Sequence, residues 1–266
     1  MKYNFNTNKK IWDENDVVEK YKKQKGWMGE LLAPEKSVLQ FVKDNNFNTM
    51  LDLGVGTGRT TSFFLPYIQK YHGIDYSEKM IECCKNRFEN YRNASFQVND
   101  ARNLECYENQ YFDFILFSCN GLDYMDHNDR IKTIKEIYRI CKPNGFFCFS
   151  THNELSIKNY YKVKFTLHPT RMINNIKKYI KFKQNNPGLN KLNYGPYVYV
   201  NDPCNNWRII TYYIDPQYQN RQLDEIGFDT KYTYALESGI ENSNMNNLKI
   251  NKDKWIYFLA QKNKLD

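Results

Sequence analysis

The run Met50-Leu51-Asp52-Leu53-Gly54-Val55-Gly56-Thr57-Gly58 constrains this chain more than any other stretch. It reads as a buried strand that enters a glycine loop and then an amphipathic helix. Glycines let the backbone turn sharply and come close to a ligand where a side chain would intrude. The third glycine follows a G-x-G-x-G spacing, one residue short of the G-x-G-x-x-G of nicotinamide binders. Asp52 stands at the end of the strand. A dinucleotide would put its pyrophosphate at the helix N-terminus, beside the negative charge of Asp52. A ligand with cationic groups suits this loop better.

Two further strand ends carry an acid. Tyr71-His72-Gly73-Ile74-Asp75 predicts the next strand, and Asp75 falls 17 residues beyond Gly58. A carboxylate there can accept from both hydroxyls of a ribose. Ser77 then caps a helix with apolar positions at Met80, Ile81, Cys84 and Phe88. The third element, Phe96-Gln97-Val98-Asn99-Asp100-Ala101, sets Asp100 to accept from an adenine amino group. S-adenosylmethionine meets these three demands, because its sulfonium and ammonium favour a nearby carboxylate and it carries no phosphate. The plainer alternative is a doubly wound domain whose loop binds another nucleotide, or nothing.

The segments Leu51 to Thr61, Gly73 to Met80, Asn99 to Leu104 and Phe112 to Met125 resemble the successive motifs of class I S-adenosylmethionine-dependent methyltransferases. Arg130 to Asn153 does too, with Glu136-Ile137-Tyr138-Arg139 and Lys142-Pro143-Asn144-Gly145. Asn144 stands where that family usually has glycine, and asparagine tolerates the left-handed conformation. The resemblance spans roughly residues 35–153 and, more loosely, the last 55 or so. It implies an α/β fold, a Rossmann-like seven-stranded, mostly parallel sheet with flanking helices and an antiparallel final strand. It implies S-adenosylmethionine as methyl donor and S-adenosylhomocysteine as product. The cofactor contacts it implies are Asp52, Gly54, Gly56, Gly58, Asp75, Tyr76, Met80, Asp100, Ala101 and Ser118. Within the superfamily, Phe117 to Tyr124 and Phe149 to Asn153 resemble a bacterial subgroup found in surface-glycan (capsule) gene clusters.

Strand and helix patterns alternate up to about residue 152, which implies parallel pairing through crossover helices. The alternation then breaks for some 55 residues punctuated by Pro169, Pro187-Gly188, Gly195-Pro196 and Pro203. One domain is expected over 1–266: a helical cover at 1–46, the cofactor core at 47–152, a lid insertion at 153–206, and the rest of the core at 207–266. No apolar run reaches 18 residues, so no membrane span is expected. The first residues lack the apolar stretch of a signal peptide. Seven cysteines with no C-x-x-C pair suggest reduced thiols in a cytoplasmic protein and give no metal-site spacing.

The formal charge is +8, and 29 of the 38 basic residues are Lys. Between Glu154 and Lys191 stand nine Lys/Arg against one acid. Such a run is commonly a solvated face. It also suits a basic lid that steers an anionic acceptor or, with interleaved aromatics, a track for a nucleic-acid backbone. No appended RNA-binding domain supports the last reading. Aromatics such as Tyr160, Phe165, Tyr179, Tyr194 and Tyr199 in the insertion could pack in a core or stack on sugar rings.

Methyl transfer to a hydroxyl needs alignment, exclusion of water and removal of a proton. Of four histidines, His72 reads as a packed strand residue and His127 as a helix-start group. His152 ends a strand at the sheet edge where cofactor and acceptor should meet, which makes it the candidate base, with Asp123 beside it in the catalytic set. It could equally hold the acceptor without proton transfer. Asn120, Tyr124, Asn153 and His168 are the candidate acceptor contacts. The expected acceptor is a small, anionic molecule, with O-methylation of an activated or phosphorylated carbohydrate or surface-polysaccharide precursor as the first reading. N-methylation of a small amine and methylation of tRNA or rRNA are the alternatives, and a binding protein without catalysis is the non-enzymatic one.

Overall fold

The computed structural model describes residues 5–23, 29–244, 248 and 251–263. The expected helical cover at 1–46 therefore includes residues 1–4 and 24–28, outside the described residues. Two short helices, α1 (Asn6–Trp12) and α2 (Asn15–Lys22), precede α3 (Ala33–Asn45). Pro34 sits in the first turn of α3, and the Glu35 carboxylate accepts from the Leu32 N–H at 2.7 Å, which caps that turn.

The core then alternates. β1 (Thr49–Leu53) leads through the glycine loop to α4 (Thr61–Phe64), followed by β2 (Lys70–Asp75), α5 (Glu78–Arg87), β3 (Ala94–Val98) and β4 (Phe112–Phe117). α6 (His127–Ile140) feeds β5 (Cys141–Asn153), where Asn144 adopts φ 62°. The insertion holds α7 (Ile157–Tyr161), α8 (Pro169–Asn185) and β6 (Tyr197–Asn201). After it come β7 (Ile210–Ile214), α9 (Pro216–Ile226), β8 (Phe228–Ala235), β9 (Glu241–Asn242) and β10 (Trp255–Lys262). The helix expected after the glycine loop is only four residues long, because Pro66, two residues past its end, cannot continue the hydrogen-bond ladder.

The sheet runs β3-β2-β1-β4-β5-β10-β8-β9. β3 to β5 are parallel, and β10 is antiparallel to both β5 and β8, as the resemblance implies. The sheet holds ten strands among the described residues instead of seven, because β9 adds a short edge and β6 and β7 form a hairpin. β7 pairs with the core sheet at the end of β5, through His152↔Tyr213 and Asn153↔Ile214.

Central strands are buried on both faces, so their side chains alternate between two cores. Leu51 and Leu53 of β1, Ile115 and Phe117 of β4 and Phe147 and Phe149 of β5 join one core with α6 and α9. Met50, Phe114, Leu116 and Cys148 join the other with α3 and α5. The insertion has its own core of Ile157, Tyr161, Phe182, Leu192, Val198, Val200 and Tyr213. A fourth cluster of Ile11, Val17 and Ile209 seats the N-terminal helices on the start of β7. Asn8 fixes that seat: its amide donates to the carbonyls of Tyr124 (3.0 Å) and Ile210 (2.8 Å) and accepts from the Ile210 N–H (3.0 Å).

Candidate active site

A cavity of about 660 Å³ opens above the C-terminal ends of β1, β2 and β4, where ligands bind in open parallel sheets. The glycine loop forms its floor, and Gly54, Gly56 and Gly58 take φ of 63°, 57° and 81°. A Cβ on Gly56 would meet nothing within 4 Å, so the loop backbone there faces open space. A Cβ on Gly58 would lie 2.4 Å from the Phe88 ring, so this glycine serves the packing of the loop against α5.

Asp75 stands on the cavity wall. Its Oδ2 accepts from the Gly56 N–H (3.0 Å) and its Oδ1 from the Ser77 N–H (2.9 Å). A carboxylate offers about four lone-pair sites, so these backbone bonds do not exhaust what Asp75 can receive. Burial pushes its pKa up to about 6 against the pull of these backbone bonds. Tyr76, Met80, Asp100 and Ala101 line the same wall. Asp100 is gripped by Arg102 through Nε (2.9 Å) and Nη2 (2.7 Å), and Arg102 also pairs with Asp129 at 2.6 Å. Burial alone would raise the Asp100 carboxyl, but the Arg102 bonds hold it below its ordinary value.

Asp52 is oriented differently. Its Oδ2 accepts from Thr60 (2.5 Å) and Tyr71 (2.6 Å), tying the strand to the loop's far side. It borders a small recess beside the main cavity rather than the cavity itself. Burial raises it to about 6. Arg59 closes that recess; it is absent from the expected cofactor contacts, and its place directly after the glycine loop is the local signal for it. It forms a two-pronged pair with Glu35, with both N–O distances at 2.6 Å. Glu35 is fully buried and also accepts from Ser118 and, at 3.2 Å, from Tyr257. Ser118 does line the cavity, with its hydroxyl engaged in that network.

The cover over the cavity comes from the N-terminal helices. Phe5, Lys9, Trp12 and Tyr21 line it opposite the loop, together with Tyr124 and Met125. Trp12 packs on Tyr124 at 5.1 Å and on Tyr21 at 5.7 Å between ring centroids. Ser77 donates to Asp13 (2.7 Å), Lys79 to the Asp13 carbonyl (2.9 Å) and Thr57 to the Tyr21 carbonyl (3.1 Å), so the cover is latched to the loop and to α5. No residue of the insertion lines the cavity among the described residues.

The expected catalytic pair lies deeper. His152 is 2% exposed and Asp123 fully buried, and neither borders the cavity. Asp123 Oδ2 receives the His152 N–H (2.6 Å) and faces its Nδ1 (2.8 Å), while Oδ1 accepts from Thr151 (2.7 Å) and Arg130 (3.0 Å). Across the ring, His152 Nε2 lies 3.6 Å from Asp202 and 3.5 Å from the Asn120 amide. Asn120, an expected acceptor contact, is likewise fully buried and does not line the cavity, although its neighbours Cys119 and Gly121 do; it holds the turn between them at φ 61°. Asn153 departs from its expected role: its amide donates to the carbonyls of Asn251 and Asp253 (2.9 Å each) and its oxygen caps the next turn. His168 departs too, being an exposed residue before the first turn of α8, away from the cavity. Of the expected acceptor contacts, Tyr124 alone lines the cavity with its side chain. Among the described residues no group of side chains has the makings of a metal site.

A family model described as "Methyltransferase domain" matches residues 50–145. YqeM of Bacillus subtilis, named as a methyltransferase, is 29% identical over 113 residues, 42% of this chain and 45% of that protein. A demethylmenaquinone methyltransferase of Leptospira interrogans is 30% identical over 145 residues, 50% of this chain and 56% of that one. The chain thus spans about half the length of these curated relatives. Among solved structures, the 1,6-didemethyltoxoflavin N1-methyltransferase of Burkholderia thailandensis, bound to 1,6-didemethyltoxoflavin and S-adenosylhomocysteine, superposes with a TM-score of 0.62 at 12% identity. It covers 99% of this chain and 92% of its own. At that identity the likeness concerns the fold. Residues 50–145, which carry the glycine loop and the strand ends at the cavity, are thus similar to a methyltransferase domain, and the whole chain shares the fold of the solved methyltransferase structure.

Proposed function

We propose that this protein transfers a methyl group from S-adenosylmethionine to a small-molecule acceptor held under the aromatic N-terminal cover. The observation that carries the proposal is Asp75, a carboxylate fixed by the glycine loop itself and open to the cavity. The residues present fit this cofactor. Asp75 would hold its ribose hydroxyls, Asp100 with Ala101 and Met80 its adenine, and the recess at Arg59 its amino-acid end. When bound, the cofactor supplies a methyl group already activated by its sulfonium. The chain's own residues orient that group and keep water out. Trp12, Tyr21, Phe117 and Tyr124 give the acceptor flat apolar faces.

For the acceptor, the first reading is a hydroxyl of a carbohydrate or its phosphorylated or activated form, which the aromatic faces support through stacking on a ring. The relatives' names speak of a menaquinone precursor and a toxoflavin precursor, both small molecules. A second reading, N-methylation of a small ring-bearing amine, is favoured by one specific observation. None of the four histidines borders the cavity, and a neutral amine needs no strong base. In either case His152 and Asp123 act from beneath, fixing the turn Gly121–Tyr124 that presents Tyr124. The experiment is S-adenosylhomocysteine release across nucleotide-activated sugars, sugar phosphates, small aromatic amines and RNA. Release with a sugar supports the first reading and release with an amine the second. Release with RNA alone would overturn the small-molecule proposal.

A further inference from the structure

α8 is amphipathic, but its apolar stripe faces outward. Phe182, on its inner side, is fully buried and packs on Tyr161 with ring centroids 4.3 Å apart. On the opposite side Ile173, Ile176 and Ile180 are 51%, 39% and 47% exposed. Their i, i+3, i+7 spacing sets them in one row along the helix. Just before the helix, Phe165 and Leu167 are 81% and 90% exposed. These five side chains make up most of the nine large apolar residues exposed among the described residues. An outward stripe adds nothing to the fold and exposes apolar area to water, so it implies a partner.

The charge around the stripe says which partner. From Leu155 to Asn201 the chain has no Asp or Glu and nine Lys/Arg. Lys177 and Lys181 flank the isoleucine row on one side and Lys183 on the other, all exposed. A second copy of the chain would bring two such basic surfaces together and be repelled. A helix with an apolar face rimmed by lysines suits the boundary of an anionic bilayer, with the isoleucines among the acyl chains and the ammonium groups at the phosphates. No described helix is long and apolar enough to cross a membrane, so the contact would lie on the surface.

We infer that α8 and the segment before it form a docking surface for anionic phospholipid membranes, separate from the cavity. The test is sedimentation of the full chain with phosphatidylglycerol-containing vesicles and with pure phosphatidylcholine vesicles, at low and high salt. The wild type binds the anionic vesicles, and binding weakens as salt screens the lysines. Lys177→Gln with Lys181→Gln lowers affinity about fivefold per lysine, following the roughly 1 kcal/mol each contributes near such a surface. Ile173→Ser with Ile180→Ser lowers it about tenfold or more. All four side chains are exposed, so both double variants keep the wild-type melting temperature, which separates lost docking from lost folding. Absence of binding to anionic vesicles would overturn the inference, as would binding that neither variant alters. A vesicle-free dimer in sedimentation velocity, abolished by Ile173→Ser with Ile180→Ser, would also overturn it and assign the face to a second copy.

Discussion

Asp75 accepts two backbone N–H bonds while burial raises its pKa to about 6. Its negative form should hold the two cofactor hydroxyls, so cofactor affinity should be full above pH 6. It should fall as pH drops through that value, by up to about tenfold per unit below it. Calorimetric titrations with S-adenosylhomocysteine from pH 5 to 8 check this, and a flat profile would count against Asp75 as the ribose acceptor. The sign for stability is opposite. A carboxyl raised from 3.8 to about 6 takes up its proton in the folded state, so its contribution is lost as pH rises through 6. His152 is the second residue to separate by measurement. His152→Ala leaves the Asp123 and Asp202 carboxylates without their imidazole, so stability should fall by about 1–3 kcal/mol. Turnover should fall only a few-fold, because the imidazole does not touch the cavity. Urea unfolding and steady-state kinetics check both; unchanged stability with a hundredfold lower turnover would restore His152 as the base.

At the scale of elements, much of the site was legible because its signals are local. The glycine spacing, Asp75 at the end of β2 and Ser77 at the start of α5 depend on neighbours within a few residues. What sequence could not carry is tertiary. Glu35 reads as an ordinary first-turn acid of α3, yet the fold places it under Arg59, Ser118 and Tyr257 from three other parts of the chain. His152 ends its strand as expected, but the hairpin β6–β7 folds over that end and buries it. Pro66 is the local signal that shortens α4. Glu35→Ala should cost about 3–5 kcal/mol, since it strands the Arg59 guanidinium, 13% exposed, without its carboxylate. Chemical denaturation measures this, and a loss under 1 kcal/mol would mean that water solvates Arg59 freely.

Across the whole molecule, the ends of the parallel strands β1 to β4 supply the cavity wall, and the N-terminal helices supply the cover. The insertion was expected to form a lid, yet its side chains leave the cavity to α1 and α2 and build a separate core with an outward apolar stripe. The charge excess of the chain therefore gathers away from the cavity. The central claim is that the cavity over the glycine loop holds S-adenosylmethionine through Asp75. Isothermal calorimetry of S-adenosylmethionine against the wild type and Asp75→Asn at neutral pH tests it most directly. The account predicts one site per wild-type chain and an affinity lower by about 1.5–3 kcal/mol per charged hydrogen bond lost in the variant. Equal affinity in the two proteins, or tight binding of a nicotinamide dinucleotide by the wild type, would contradict it.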